Sequence, residues 1–246
     1  DAVSCILMDA KTGRVLFEKN ADEALPPASV TKVMAVLLVF EALDAGTIKL
    51  SDMVQASEHA ASMGGSQIYL KVGEEMSVDD LLKSLIVASA NDAAVALAEY
   101  IAGSEESFVA KMNARAEELG MKNTHFENTN GLDDTATNHV TSARDIAIMT
   151  REVVKHEAVF NYSTIWMDTI RDGAFGLTNT NRLIRFYKGA TGLKTGSTAK
   201  AKFCISATAE RDGLSLIAVI MGSPTRDVRN ALAASLFDFG FANYAS

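Results

Sequence analysis

Ser29-Val30-Thr31-Lys32 sets an amine three positions after a hydroxyl. On a helix, that spacing puts the two side chains about one turn apart on one face. The residues that follow, Val33 to Phe40, are all apolar, so this helix has no evident solvent side and Lys32 is expected to be buried. Burial disfavours the ammonium form, which leaves a free amine as general base beside a nucleophile. A serine opening a helix also places its backbone N–H at the positive end of the aligned peptide dipoles. A purely structural account competes with this one. Serine is a common helix N-cap, and a lone helical lysine ordinarily snorkels to the surface. The apolar run weakens that account.

Two further motifs carry polar chemistry. Ser89-Ala90-Asn91 falls between two expected helices, where Asn91 would cap the second. There a hydroxyl can relay a proton and a carboxamide can hold a peptide group. Lys194-Thr195-Gly196, followed by Ser197, reads as a strand edge whose glycine admits a second backbone. Its lysine offers a cation to an anionic group and its threonine a hydrogen bond. Decoys exist for two of the motifs. Ser197 to Lys200 repeats the serine–lysine spacing, but in a strand-like stretch, where positions three apart face opposite ways. Lys11-Thr12-Gly13 repeats the third triplet and reads as hairpin-turn chemistry.

These residues need elements to position them. Residues 3–9 and 14–18 read as a strand pair, and a buried helix runs from Ser29 to about Ala45, stopped by Gly46. Helices then open at Ser77, with a capping box, and at Asn91, Ser104 and Ser142. The last third returns to strands, KFCISATA and LSLIAVIMG, joined by Arg211-Asp212-Gly213, before a closing helix over about 226–240. The expected fold is α/β in the α+β sense: an antiparallel sheet built from both chain ends and flanked by helices, with an inserted all-helical lobe. The sheet lobe covers about 1–55 and 160–246 and the helical lobe about 56–159, together forming one catalytic domain.

Composition narrows the function classes. The 246 residues are 48% hydrophobic with only 3 Pro, which excludes a disordered chain. A net charge of -8 argues against broad capture of nucleic acid. The eight-residue run Val33–Phe40 is far short of a membrane span. No signal-like segment opens the chain, which begins on a strand, so a processed or trimmed product is expected. Cys5 and Cys204 read as buried sheet thiols, with a disulfide between them as the alternative. His59, His125, His139 and His156 show no zinc spacing, and no metal or cofactor is expected.

The three motifs in this order, on buried helix, interhelical turn and strand, are far more specific together than singly. With Ser-Asp-Asn in the middle, the same combination marks class A β-lactamases and penicillin-binding proteins. No Gly-x-Ser-x-Gly occurs, and no histidine has a triad context. Across nearly its whole length the chain resembles the serine-type D-alanyl-D-alanine carboxypeptidases among the low-molecular-mass penicillin-binding proteins. DAKTGRVLFEKNAD, PPASVTKVM, ASANDAAVALAEYIAGS, LGMKNTHFENTNGLDD and GLKTGSTAKA carry the likeness, and Ser-Ala-Asn favours the carboxypeptidase branch.

The resemblance implies a β-lactamase/transpeptidase-like fold. It further implies that Ser29 forms an acyl-enzyme with D-alanyl-D-alanine-ended peptidoglycan stem peptides and with penicillins, its proton taken by Lys32. Ser89 would relay a proton to the departing D-alanine. Asn91, Lys194, Thr195, Gly196 and Ser197 would bind substrate, with the backbone N–H groups of Ser29 and Ser197 as the oxyanion hole. For the arginine that holds the substrate carboxylate, MGSPTRDVR offers Arg226. The family's signal peptide, C-terminal β-domain and membrane-anchoring helix have no counterpart here, so a truncated or shortened member is expected. Such a protein works on the wall side of the bacterial membrane, associating with that membrane only through segments outside this sequence. Two rivals remain. A class A-like β-lactamase would need a water-activating glutamate, for which Glu127 and Glu157 are the candidates. A non-catalytic penicillin-sensing or wall-binding module would carry a broken motif, and none is broken.

Overall fold

A computed structural model describes residues 1–246. In chain order come β1 (Ser4–Asp9), β2 (Val15–Lys19), a 3-10 turn (Ala28–Thr31), α1 (Lys32–Asp44), β3 (Met53–Gln55), α2 (Glu58–Ala61) and β4 (Glu75–Ser77). There follow α3 (Val78–Ala88), α4 (Asn91–Ala102), α5 (Glu105–Glu118), α6 (Ala143–Val154), a 3-10 turn (Glu157–Val159) and α7 (Phe160–Ser163). The chain closes with β5 (Met167–Ile170), β6 (Phe175–Thr178), α8 (Leu183–Phe186), β7 (Ala190–Thr198), β8 (Lys202–Arg211), β9 (Leu214–Ser223) and α9 (Arg226–Asn243).

Five strands form one antiparallel sheet in the order β2-β1-β9-β8-β7. The first strand lies against the last, Ser4 opposite Met221 and Asp9 opposite Leu216, so both chain ends build the sheet as expected. Both predicted hairpin turns form. Asp9 accepts the N–H groups of Lys11 and Thr12, and Gly13 sits at φ +77°. Asp212 and Gly213 both take positive φ, 50° and 81°, which matches the twist of strands β8 and β9. Period-two alternation sorts the sheet's side chains. Ile6, Met8, Val219 and Met221 join the core that contains α1 and α6, while Leu7, Ile205, Ala218 and Ile220 pack with Ala233 and Phe237 of α9.

Where the structure departs from the expected lobes, the departures have local causes. The insert is not all helical: β4 lies within it and pairs with β3 across the expected boundary, while β5–β6 form a second two-stranded ribbon in the stretch assigned to the sheet lobe. Helix α6, placed by sequence in the helical lobe, packs on β1 and β9, because its buried stripe of Ile146, Met149 and Val153 needs the sheet's apolar face. The predicted caps at Ser77, Ser104 and Ser142 form, each hydroxyl accepting the backbone N–H three residues on. Both cysteines are buried and unbridged.

Candidate active site

The helix expected from Ser29 begins three residues later. Ala28 to Thr31 form a 3-10 turn and the α-helix starts at Lys32. Ser29 makes no capping bond, so its hydroxyl is left for other work. Gly131 explains the turn's tight seat. A Cβ there would lie 1.8 Å from the Ala28 carbonyl oxygen, so the loop and the turn meet backbone to backbone.

Lys32 does not snorkel; its side chain is fully enclosed. Its Nζ lies 3.2 Å from Ser29 Oγ, 2.9 Å from Ser89 Oγ, 2.8 Å from the Ser89 carbonyl and 2.5 Å from Asn91 Oδ1. The two carbonyl-type oxygens only accept, so they take two N–H groups. In the neutral form, the amine's lone pair then faces the two hydroxyls. Burial first, and the charge of Lys194 second, hold this amine well below the ordinary lysine range, with Asp92 pulling the other way.

Ser89 and Asn91 reach Lys32 from the connection between α3 and α4. Ser89 ends α3 in the left-handed conformation, φ 60°, and this reversal aims both its oxygens at the lysine. Asn91 does not cap α4; Ala90 holds that position. The Asn91 amide instead donates to the Gly64 carbonyl at 2.8 Å, which fixes Oδ1 toward Lys32. The next residue, Asp92, is buried and accepts the N–H groups of Ile68 and Leu70, holding the 63–70 loop beside the site.

Strand β7 brings the third motif to the same place. A Cβ on Gly196 would lie 2.5 Å from the Ser29 backbone nitrogen, so the strand touches the serine turn. Ser197 follows directly, beside a cavity of about 450 Å³ that it lines with Thr198, Ala199, Lys202, Phe203 and Pro224. Thr195 donates to Thr180 at 2.7 Å. Lys194 is buried, donates to the Thr195 carbonyl at 3.0 Å, and is lowered to about 7 by burial and then by the charge of Arg229.

The structure thus gathers Ser29, Lys32, Ser89, Asn91, Lys194, Thr195, Gly196 and Ser197 around one cleft. Arg226 is not among them. It is exposed at the first turn of α9, whereas Arg229, one turn on, is 3% exposed, donates to the Cys204 carbonyl and stands near Lys194. Sequence reading missed Arg229, although it occupies the buried stripe Arg229, Ala233, Phe237, Gly240 of α9. A cation in an apolar stripe is the signal that would have found it. Both water-activating candidates are exposed. Glu127 accepts from Asn138 N–H and Thr137, and Glu157 lies in the short 3-10 turn after α6. A larger cavity, about 830 Å³, lies at the far end of the sheet between Ala190, Thr208, Leu216 and Phe160, away from the serine–lysine cluster.

Residues 1–225 match the family described as D-alanyl-D-alanine carboxypeptidase. The chain belongs to that family. Among carboxypeptidase relatives, DacF of Bacillus subtilis is 51% identical over 247 residues, covering 99% of this chain and 63% of its own. DacC of Escherichia coli is 40% identical, covering 98% and 61%. The chain therefore spans about three-fifths of the length of these curated carboxypeptidases. The carboxypeptidase DacD of Francisella tularensis superposes with a TM-score of 0.93 at 31% identity, covering 100% of this chain and 71% of that one. Penicillin-binding protein D2 of Listeria monocytogenes, in its ampicillin-bound form, gives 0.88 at 30% identity, covering 98% and 97%. The fold is thus the penicillin-binding-protein, transpeptidase-like fold that the resemblance implied.

Proposed function

We propose that this chain is the catalytic part of a serine D-alanyl-D-alanine carboxypeptidase that trims peptidoglycan stem peptides on the wall side of the membrane. One observation carries the reading: a fully buried amine lies within hydrogen-bond reach of two hydroxyls, one of them on the turn that packs against Gly196 of the edge strand β7. Neutral Lys32 takes the Ser29 proton as Oγ attacks the carbonyl of the penultimate D-alanine. The developing oxyanion is held by the backbone N–H groups of Ser29 and Ser197, each worth about 3 kcal/mol of transition-state stabilisation. Ser89 passes the proton from Lys32 to the leaving nitrogen, the C–N bond breaks and D-alanine departs. Water then cleaves the ester and restores Ser29.

The carboxylate of the leaving D-alanine is received by Lys194 and Arg229; the role read at Arg226 moves one turn along α9. Lys194 and Arg229 are both buried, and no carboxylate forms an ion pair with either, which favours an anionic ligand. Penicillins, which mimic the D-alanyl-D-alanine end, acylate the same serine. No helix is long and apolar enough to cross a membrane.

The test is release of free D-alanine from diacetyl-Lys-D-Ala-D-Ala, together with mass-spectrometric mapping of the benzylpenicillin adduct. Release together with one adduct at Ser29 is expected. An adduct elsewhere, or D-alanine release by Ser29→Ala, overturns the nucleophile assignment. Rapid turnover of benzylpenicillin would favour a β-lactamase instead.

A further inference from the structure

The two proposed oxyanion donors sit on elements far apart in sequence, Ser29 on the 3-10 turn and Ser197 on β7, which touch at Gly196. One loop, residues 125–139, is bonded to both sides. On the turn side, Gly131 presses on Ala28, as described above. His139 is buried there; its Nδ1 accepts the Glu127 N–H at 2.8 Å, so its Nε2–H donates to Thr31 Oγ1 at 2.7 Å. On the strand side, Asp133 accepts from Thr198 Oγ1 at 2.6 Å, and that oxygen in turn accepts the Ala201 N–H at 2.9 Å. Thr198 is the residue immediately after Ser197. The loop is stiffened internally, because Asn128 donates to the Leu132 carbonyl and accepts the Gly131 N–H, both at 2.8 Å.

We propose that Asp133 is a positioning residue for the oxyanion hole: through Thr198 it fixes Ser197 relative to the Ser29 turn, which the same loop holds. The proposal rests on the reading of Ser29 as nucleophile. An interaction of this kind acts in the transition state and little in ground-state binding, so its loss appears in the chemical step. Displacement of a reacting group by 1 Å costs roughly a hundredfold in rate, and part of that is at stake here.

The test measures benzylpenicillin acylation as two constants, the non-covalent dissociation constant and the acylation rate, in Asp133→Ala, Asp133→Asn, Thr198→Val and the double variant Asp133→Ala/Thr198→Val. Asp133→Ala and Thr198→Val are each expected to slow acylation tenfold or more, with the dissociation constant changed less than threefold. The double variant is expected to be no slower than Thr198→Val, since that change already removes the bond to Asp133 together with the one from Ala201 N–H. Asp133→Asn, whose amide oxygen still accepts, restores the rate to within threefold. One adduct per chain at the end point confirms that each variant is folded. Acylation by Asp133→Ala at the parent rate, losses that multiply in the double variant, or a lowered melting temperature without a slowed chemical step would overturn the proposal. Ser29→Ala run alongside separates the two readings. An adduct in that variant refutes the nucleophile and leaves the comparison at Asp133 to be scored by itself.

Discussion

Lys32 has four oxygen neighbours and no carboxylate among them, surroundings that, with burial, favour the neutral amine. Arginine cannot be deprotonated in a protein. Lys32→Arg should therefore abolish base function while keeping positive charge, lowering D-alanine release by roughly a thousandfold; a steady-state assay at pH 7 checks this. Lys194, lowered to about 7, is cationic below that pH and neutral above it. The kcat/KM for a carboxylate-ended peptide should therefore fall as pH rises through about 7. Removing a like charge favours the protonated amine, so Arg229→Leu should move that limb to higher pH. It should also raise KM by roughly tenfold to a hundredfold, the worth of one charge-assisted hydrogen bond. Pre-steady-state and pH-profile kinetics separate the two effects. Ser29, Lys32, Ser89 and Lys194 were legible because their spacings are local to one turn or one strand. Arg229 was not, because its position depends on which face of α9 meets β8, and the reading stopped at the first turn.

Strand β7 and the serine turn meet at Gly196, where any side chain would strike the backbone nitrogen of Ser29. Gly196→Ala should push the strand and turn apart and lower benzylpenicillin acylation by roughly a hundredfold or more. Circular dichroism should show the fold intact, and unchanged acylation would contradict the contact. At this scale the sequence announced most elements through capping residues, hairpin glycines and apolar periodicity. It did not announce the 3-10 turn or the left-handed Ser89, because both are imposed by packing: Gly131 against Ala28, and Ser89 against Lys32. Asn91 shows the same limit. A residue type suited to capping was expected to cap, and a buried amine claimed it instead.

At the scale of the molecule, the loop that spans the two sides of the cleft carries a titration. His139 is held down to about 4 by burial, against an ordinary value of 6.5, while Glu127 and Asp133 pull upward and His125 downward. The unfolded chain takes up this proton near 6.5 and the folded one only near 4. Stability from this group is therefore complete above pH 6.5 and drains away as pH falls toward 4, by up to about 3 kcal/mol. Urea unfolding at pH 7 and pH 4.5 should show that loss, and His139→Gln should reduce its pH dependence. The sheet assembled from both chain ends was legible from the order of strands and helices. The lobe boundaries were less so, because α6 settles on the sheet through a buried stripe that sequence alone could equally have offered to another helix.

β7 borders the sheet with β8 on one side only. Asn181 and Ser163 occupy the carbonyls of Gly192 and Thr191, and Lys194 that of Thr195, so the border beyond Gly192 is only partly covered. A bare margin of this kind invites any extended chain to zip onto it. The same rail that would welcome a stem peptide therefore exposes the folded protein to strand-to-strand clustering when crowded. Filling the cleft with a covalent acyl group should quiet that clustering, which light scattering of concentrated protein before and after penicillin treatment would register.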